Sequence, residues 1–273
     1  MRLGIFAKTF SGTEPAAVLA AVKQAGYETT QFNLACAGLP SMPDAVPQNA
    51  VVAIRAAAQS SGVSLAALSG TYNMAHPDKA VRDDGLRRLA VVIETAAALD
   101  IPLVTLCTGS RNAADQWAFH PDNATPAAWS DMAIEMEKAL ALAEDAGVDL
   151  GIEPEQANIV TSASDATRLI ADMGSKHLKI VLDPANLFEH ATPDEARAIV
   201  AAAIDEAAGH IAMAHAKDRY GDGRFATSGQ GIVDFPDFVA RLKAVGFDGA
   251  LVTHGLSAEE APGVAAFLHG LLR

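Results

Sequence analysis

The chain has 273 residues, half of them hydrophobic and 19% charged, so it can bury enough apolar surface to offset the entropy of folding, and a disordered reading fails. A formal net charge of −13 repels polyphosphate backbones and anionic lipid surfaces, so neither nucleic acid nor a membrane is an expected partner. Two cysteines, Cys36 and Cys107, make no disulfide framework, and the apolar run from Leu3 to Phe6 is far shorter than the core of a secretory leader, so a reducing cytoplasm is the expected location.

Short apolar runs alternate with segments of helical period from one end to the other. The strand candidates, in order, are Leu3 to Phe6, Thr29 to Asn33, Ser64 to Ser69, Leu103 to Cys107, Leu150 to Glu153, Ile180 to Asp183, Ile211 to His215 and Ala250 to His254. A helix candidate follows each. After the third strand, Leu86, Leu89, Ile93 and Ala97 keep the three-and-four spacing of an amphipathic helix. After the fourth, Trp129, Met132, Met136, Leu140 and Ala143 do the same. Thr192 to Glu195 and Ser257 to Glu260 read as capping boxes that start helices. Gly26, Gly62, Gly147, Gly174 and Gly246 stand where left-handed helix ends are wanted.

Eight βα units in a chain of this length predict an α/β protein with the closed (β/α)8 architecture, the TIM barrel, as one domain over residues 1–273. The long connections, Ala35 to Gln48, Gly70 to Ala80, Gly109 to Ala124 and Lys217 to Asp234, all follow strands, where barrel enzymes keep their functional loops.

Four metal-ligating residue types close the last four strands: Glu153, Asp183, His215 and His254. They lie 30, 32 and 39 residues apart, close to the average unit of about 34 residues expected when each unit contributes one group. Singly each has a bland explanation: Glu153 and Asp183 precede prolines and suit turns, and a lone strand histidine is often a hydrogen-bonded core residue. Together at one mouth they need a compensating charge, which a divalent metal ion supplies. Two carboxylates with one or two imidazoles suit Mn²⁺, Zn²⁺ or Co²⁺, with Fe²⁺ also compatible.

The loops after strands also hold Lys8, Asn33, Tyr72, Asn73, His76, Thr108, Ser110, Arg111, Glu155, Asn186, Lys217, Asp218 and Gln230. Such a lining suits a polyol, because each substrate hydroxyl needs a fixed partner in place of water; loops are also polar for no other reason than exposure. The expected substrate contacts are Lys8, His76, Thr108, Arg111, Glu155 and Asn186, with Arg111 able to clamp a phosphate or carboxylate. His120, His177, His190, His210 and His269 fall in peripheral segments. No phosphate-binding glycine loop and no nucleophile elbow is present, which removes support for nucleotide cofactors and serine hydrolase chemistry.

These residues resemble the sugar phosphate isomerase/epimerase group of the xylose isomerase-like TIM barrels. The resemblance is carried nearly end to end by Ser69 to Asp78, Cys107 to Asn112, Gly151 to Glu155, Leu182 to Asn186 and Ala214 to Asp218. It implies a mononuclear metal bound by Glu153, Asp183 and His215. In the family's ketose 3-epimerases, a second glutamate on the eighth strand serves as ligand and base, and the two glutamates exchange a proton from opposite faces of the sugar. Here the eighth strand offers His254, and Asn186 stands where a histidine is common.

The implied activity is a metal-dependent isomerase or epimerase of a small sugar, keto-sugar or related polyol. Glu153 is ligand and base, and His254 or Lys217 completes proton transfer. His254 also allows a lyase or hydrolase of an oxidised sugar or cyclitol, of the inosose dehydratase kind, or a barrel that binds sugar without turnover. An apurinic-site endonuclease shares the fold but expects more histidines and a basic face. The alanine-rich helical exterior is compatible with a homo-oligomer.

Overall fold

The eight apolar runs close on themselves. In the computed structural model, which describes residues 1–273, the barrel strands are β1 (Arg2–Phe6), β2 (Thr29–Phe32), β3 (Ser64–Ser69), β4 (Leu103–Leu106), β5 (Asp149–Ile152), β6 (Leu178–Leu182), β7 (Ile211–Ala216) and β10 (Ala250–Thr253). All neighbours are parallel, and β1 pairs with both β2 and β10, which seals the sheet. The expected strands are all present with ends within two residues. At β2, β4, β5, β6 and β10 the strand stops one residue short of the expected end, which leaves Glu153, Asp183 and His254 just beyond the ladder at the barrel mouth.

The helices α1 (Pro15–Gln24), α2 (Gln48–Ser61), α3 (Lys79–Ala98), α4 (Pro126–Ala146), α5 (Ala163–Met173), α6 (Pro193–Ala207), α7 (Phe235–Ala244) and α8 (Ala261–Leu272) alternate with these strands. Leu89 and Ile93 on α3, and Met132, Met136, Leu140 and Ala143 on α4, are buried as their spacing requires. The main core of 66 buried residues lies between strands and helices, while Ala67, Leu103, Val181, Met213, Ala250 and Val252 fill the barrel's interior. That interior is narrow at two glycines. A Cβ on Gly4 would stand 2.8 Å from Thr29 Cγ2, and one on Gly151 would stand 2.7 Å from Val181 Cγ2.

The five glycines expected to end helices all have positive φ. Thr192 and Glu195 form the expected capping box at the start of α6. The Ser257–Glu260 box also forms, but it closes a turn, and α8 begins only at Ala261, with Pro262 in its first turn.

The Lys217–Asp234 connection holds an unexpected antiparallel pair, β8 (Asp218–Arg219) and β9 (Phe225–Ala226). Asp218 holds it in place. Its fully buried carboxylate accepts backbone N–H groups from Arg219, Gly229, Gly231 and Val233 at 2.8 to 3.1 Å. No helix is long and apolar enough to cross a membrane.

Candidate metal centre

The parallel strands deliver four side chains to one end of the barrel. Glu153, Asp183 and His254 stand one residue past β5, β6 and β10, and His215 is the penultimate residue of β7. One donor atom from each lies within 4.8 Å of all the others. His215 Nδ1 is 3.2 Å from Glu153 Oε1 and 3.5 Å from Asp183 Oδ2, and His254 Nε2 is 2.9 Å from the same Asp183 oxygen. The two imidazole rings meet edge to face with centres 4.4 Å apart.

The electrostatics of the cluster ask for a cation. Burial works against a charged His215, yet Glu153 and Asp183 outweigh it and raise its pKa to about 9. Burial likewise opposes charge on Asp183, but Lys217, His215 and His254 hold that carboxylate well below its usual range. A proton on His215 therefore offsets one of the two carboxylate charges beside it. A divalent ion fits the same place better, since two carboxylates and two imidazoles form a mixed oxygen and nitrogen donor set. His254 is driven towards the neutral form, by burial first and then by the positive charge of His215, and a neutral imidazole is what ligation requires.

A second layer orients these groups. Gln31 on β2 places Oε1 2.9 Å from His215 Nε2, while its amide donates to Ser69 Oγ and Thr105 Oγ1. Asn186 donates to Glu153 Oε1 at 2.7 Å and accepts from Lys217 Nζ at 3.0 Å. Asp183 Oδ1 accepts the Ala185 N–H. Beside the cluster opens a cavity of about 330 Å³, lined mainly by polar groups: Lys8, Asn33, Ser41, Thr71, Gln116, Glu153, His215 and His254 among them, with Phe6 and Trp117 as the hydrophobic walls.

Of the expected substrate contacts, Lys8 lines this cavity and Asn186 bridges Lys217 to Glu153. Others hold loops instead. Arg111 pairs with Asp131 at 2.7 Å and donates to the Ala75 carbonyl. His76 packs against the carbonyls of Asp78 and Ala113, and Thr108 Oγ1 accepts the Val160 N–H at 3.0 Å. Glu155 sits in the loop after β5, its pKa raised to about 7 by burial and then by the charge of Glu153, with Lys217 opposing. The roles of Gln31, Ser69 and Thr105 are not evident from the sequence, although the polar side chains of Thr29, Thr30 and Gln31 in a buried strand must find partners inside.

The model of the xylose isomerase-like TIM barrel matches residues 19–271. No curated protein sequence matches the chain significantly. Among solved structures, 3-keto-D-glucoside 4-epimerase from E. coli is 18% identical over 99% of both chains, with a TM-score of 0.78. An L-ribulose 3-epimerase is 21% identical over 99% of this chain and 94% of its own, also at 0.78. D-psicose 3-epimerase from Clostridium cellulolyticum H10, solved with D-tagatose, is 16% identical over the whole of both chains at 0.76. At these identities the structures share the fold, and with the family match spanning nearly the entire sequence, the chain belongs to the xylose isomerase-like TIM barrel family.

Proposed function

We propose that this protein is a metal-dependent isomerase or epimerase that moves a proton on a carbon adjacent to a carbonyl of a small sugar or related polyol. The observation that carries the reading is the double position of Glu153, which belongs to the donor cluster and also lines the polar cavity. Its side chain is 18% exposed, whereas Asp183 is sealed. Asp183 is thus suited to ligation alone, and Glu153 to ligation and contact with substrate.

Glu153, Asp183, His215 and His254 would hold Mn²⁺, Zn²⁺ or Co²⁺. Such an ion supplies Lewis acidity towards neighbouring carbonyl and hydroxyl oxygens. Glu153 takes the proton from carbon, with its Oε1 steadied by Asn186 and His215. His254, also on the cavity wall and tied through Nε2 to Asp183, serves as the opposing acid/base or as the fourth ligand. The Lys217 ammonium, on the far side of Asn186, stabilises negative charge near Glu153. Lys8, Asn33, Ser41, Thr71 and Gln116 offer hydroxyl partners, and Trp117 an apolar wall, a combination that suits a carbohydrate. The sugar epimerases that share the fold support the same class.

Incubation of the metal-loaded protein with a panel of ketoses and keto-sugars in D₂O tests this reading. One deuterium incorporated next to the carbonyl, without loss of mass to water, is the expected outcome. Loss of one water would assign elimination from an oxidised sugar or cyclitol, the chemistry that an imidazole in place of a carboxylate at residue 254 also permits. Binding without exchange or product would make the barrel a sugar-binding protein and overturn the proposal.

A further inference from the structure

The closed strand order runs β1, β10, β7, β6, β5, β4, β3, β2, so β5 lies four strands from β1 in either direction and the two stand on opposite walls of the barrel. The four donors follow β5, β6 and β10 or sit on β7, strands that are consecutive in that order. They occupy one half of the mouth. The cavity beside them is walled on its other side by residues of β1 to β4 and the loops that follow those strands.

Thirteen residues line that cavity, and the ionisable ones are Lys8, Glu153, His215 and His254. Three of these belong to the donor cluster. The rest of the lining is amide, hydroxyl and aromatic, groups that orient a sugar by hydrogen bonds but are poor acids and bases near neutral pH. Lys8 is therefore the one proton-carrying group of the cavity that the cluster does not claim. It sits on the turn Ala7–Thr9 directly after β1. Ala7 and Phe10 are buried and the Phe10 N–H closes on the Ala7 carbonyl, so the turn is fixed while the exposed Lys8 side chain reaches the cavity.

Inversion at a carbon needs one group that removes a proton from one face and another that supplies a proton to the opposite face. Glu153 is the first. His254 is poorly placed as the second, because its Nε2 lies 2.9 Å from Asp183 Oδ2, inside the cluster, and its strand belongs to the donor half of the mouth. Lys8 reaches the same cavity from the wall that faces Glu153.

We propose that Lys8 is the second catalytic acid, so that the reaction run here is an epimerisation in which Glu153 and Lys8 work on opposite faces of one carbon. The inference rests on the isomerase or epimerase reading of the same site, and it assigns His254 to ligation. The C–H bond next to the carbonyl breaks, its proton passes to the Glu153 carboxylate, and the electron pair moves onto the carbonyl oxygen as an enolate. The Lys8 ammonium then gives a proton to the opposite face of the same carbon, the carbonyl re-forms, and the configuration is inverted. The carboxylic acid and the amine left behind exchange with water, which restores carboxylate and ammonium with no net change in atoms or charge.

The test uses the full chain loaded with Mn²⁺ in D₂O, as wild type, Lys8→Gln and Lys8→Cys, with D-fructose, D-psicose, D-tagatose and L-ribulose as probes. Two quantities are followed, deuterium in the recovered substrate and formation of the epimer. Wild type is expected to form an epimer that carries deuterium at the inverted carbon. Lys8→Gln is expected to keep its metal and to wash deuterium into the recovered substrate, because Glu153 still removes and returns a proton on its own face, while epimer formation falls by about 100 to 10,000-fold. In Lys8→Cys, alkylation with 2-bromoethylamine rebuilds an amine at this position, the native Cys36 and Cys107 being buried, and epimer formation is expected to return. Epimer formed by Lys8→Gln at the wild-type rate overturns the assignment and leaves the isomerase or epimerase reading intact. So does joint loss of exchange and epimer in that variant, which would make Lys8 a binding residue only, and so does a wild type that exchanges deuterium and yields an aldose in place of an epimer. A wild type that exchanges deuterium into none of the probes defeats the isomerase or epimerase reading itself, and the Lys8 assignment with it.

Discussion

His215 Nε2 lies 2.9 Å from the side-chain oxygen of Gln31, a residue 184 positions earlier in the chain and on β2, which β1 and β10 separate from β7. With Gln31 accepting from Nε2, the Nδ1 of His215 faces Glu153 and Asp183, which is the nitrogen a metal ion needs. Gln31 is in turn braced by Ser69 and Thr105, so the ring is held by a network that spans three strands. Replacing Gln31 with Leu removes the acceptor and strands the two hydroxyls. Metal affinity, measured by competition with a chromophoric chelator, is expected to fall by about 10 to 100-fold. A Gln31→Glu variant, which keeps an acceptor at the same reach, is expected to recover most of it.

The proton on His215 and the metal compete for one place. Raised to about 9 in the metal-free fold from an ordinary value of 6.5, His215 contributes stability that is fully present below about pH 6.5 and is lost as pH rises through 9. Metal-free protein is therefore expected to show a falling unfolding temperature across that window, and His215→Gln to flatten the slope. Metal affinity moves the other way, strengthening by up to about tenfold per pH unit as pH rises towards 9, because one proton is displaced. Calorimetry in buffers of different ionisation enthalpy should detect that proton release at neutral pH.

Asn186 is expected to hold Glu153 in place for proton transfer. Asn186→Asp puts a like charge 2.7 Å from Glu153 Oε1 in place of a donor, while Lys217 stays beside it. The acidic limb of the kcat/KM profile is expected to shift to higher pH, with a loss of rate at pH 7 of about 10 to 100-fold. An unmoved limb would separate Glu153 from the proton transfer.

Asp218 is the structural pin of the β8–β9 segment. Its replacement with Ala leaves four backbone N–H groups without their acceptor in a buried place. A cost of about 2 to 4 kcal/mol in urea-induced unfolding is expected. A cost below about 0.5 kcal/mol would mean that the segment is held by something else.

The barrel was legible because most strands are apolar runs that must be buried on both faces, and helices such as α3 and α4 repeat their apolar spacing over several turns. The donor cluster was legible for a related reason: parallel closure turns a spacing of one unit into proximity at one mouth, so Glu153, Asp183, His215 and His254 announced themselves by register. The hairpin of β8 and β9 gave no such signal, since two-residue strands have no period to detect. Arg111, His76 and Thr108 show the converse limit, because a polar side chain that braces a loop and one that faces a substrate have the same sequence signature. Gln31 was hidden for the same reason, one polar side chain among Thr29, Thr30 and Asn33 with nothing in the sequence to say that it faces His215.

The central claim is that four residues from β5, β6, β7 and β10 make one metal centre. Elemental analysis of the purified protein, after dialysis against Mn²⁺ or Zn²⁺, tests it most directly when run beside the Glu153→Gln, Asp183→Asn double variant and a His254→Ala variant. One ion per chain in wild type, lost in the double variant, is the predicted result, and its retention or loss in His254→Ala assigns that imidazole to proton transfer or to ligation. No bound ion in folded wild-type protein, or an ion that persists in the double variant, would contradict the account.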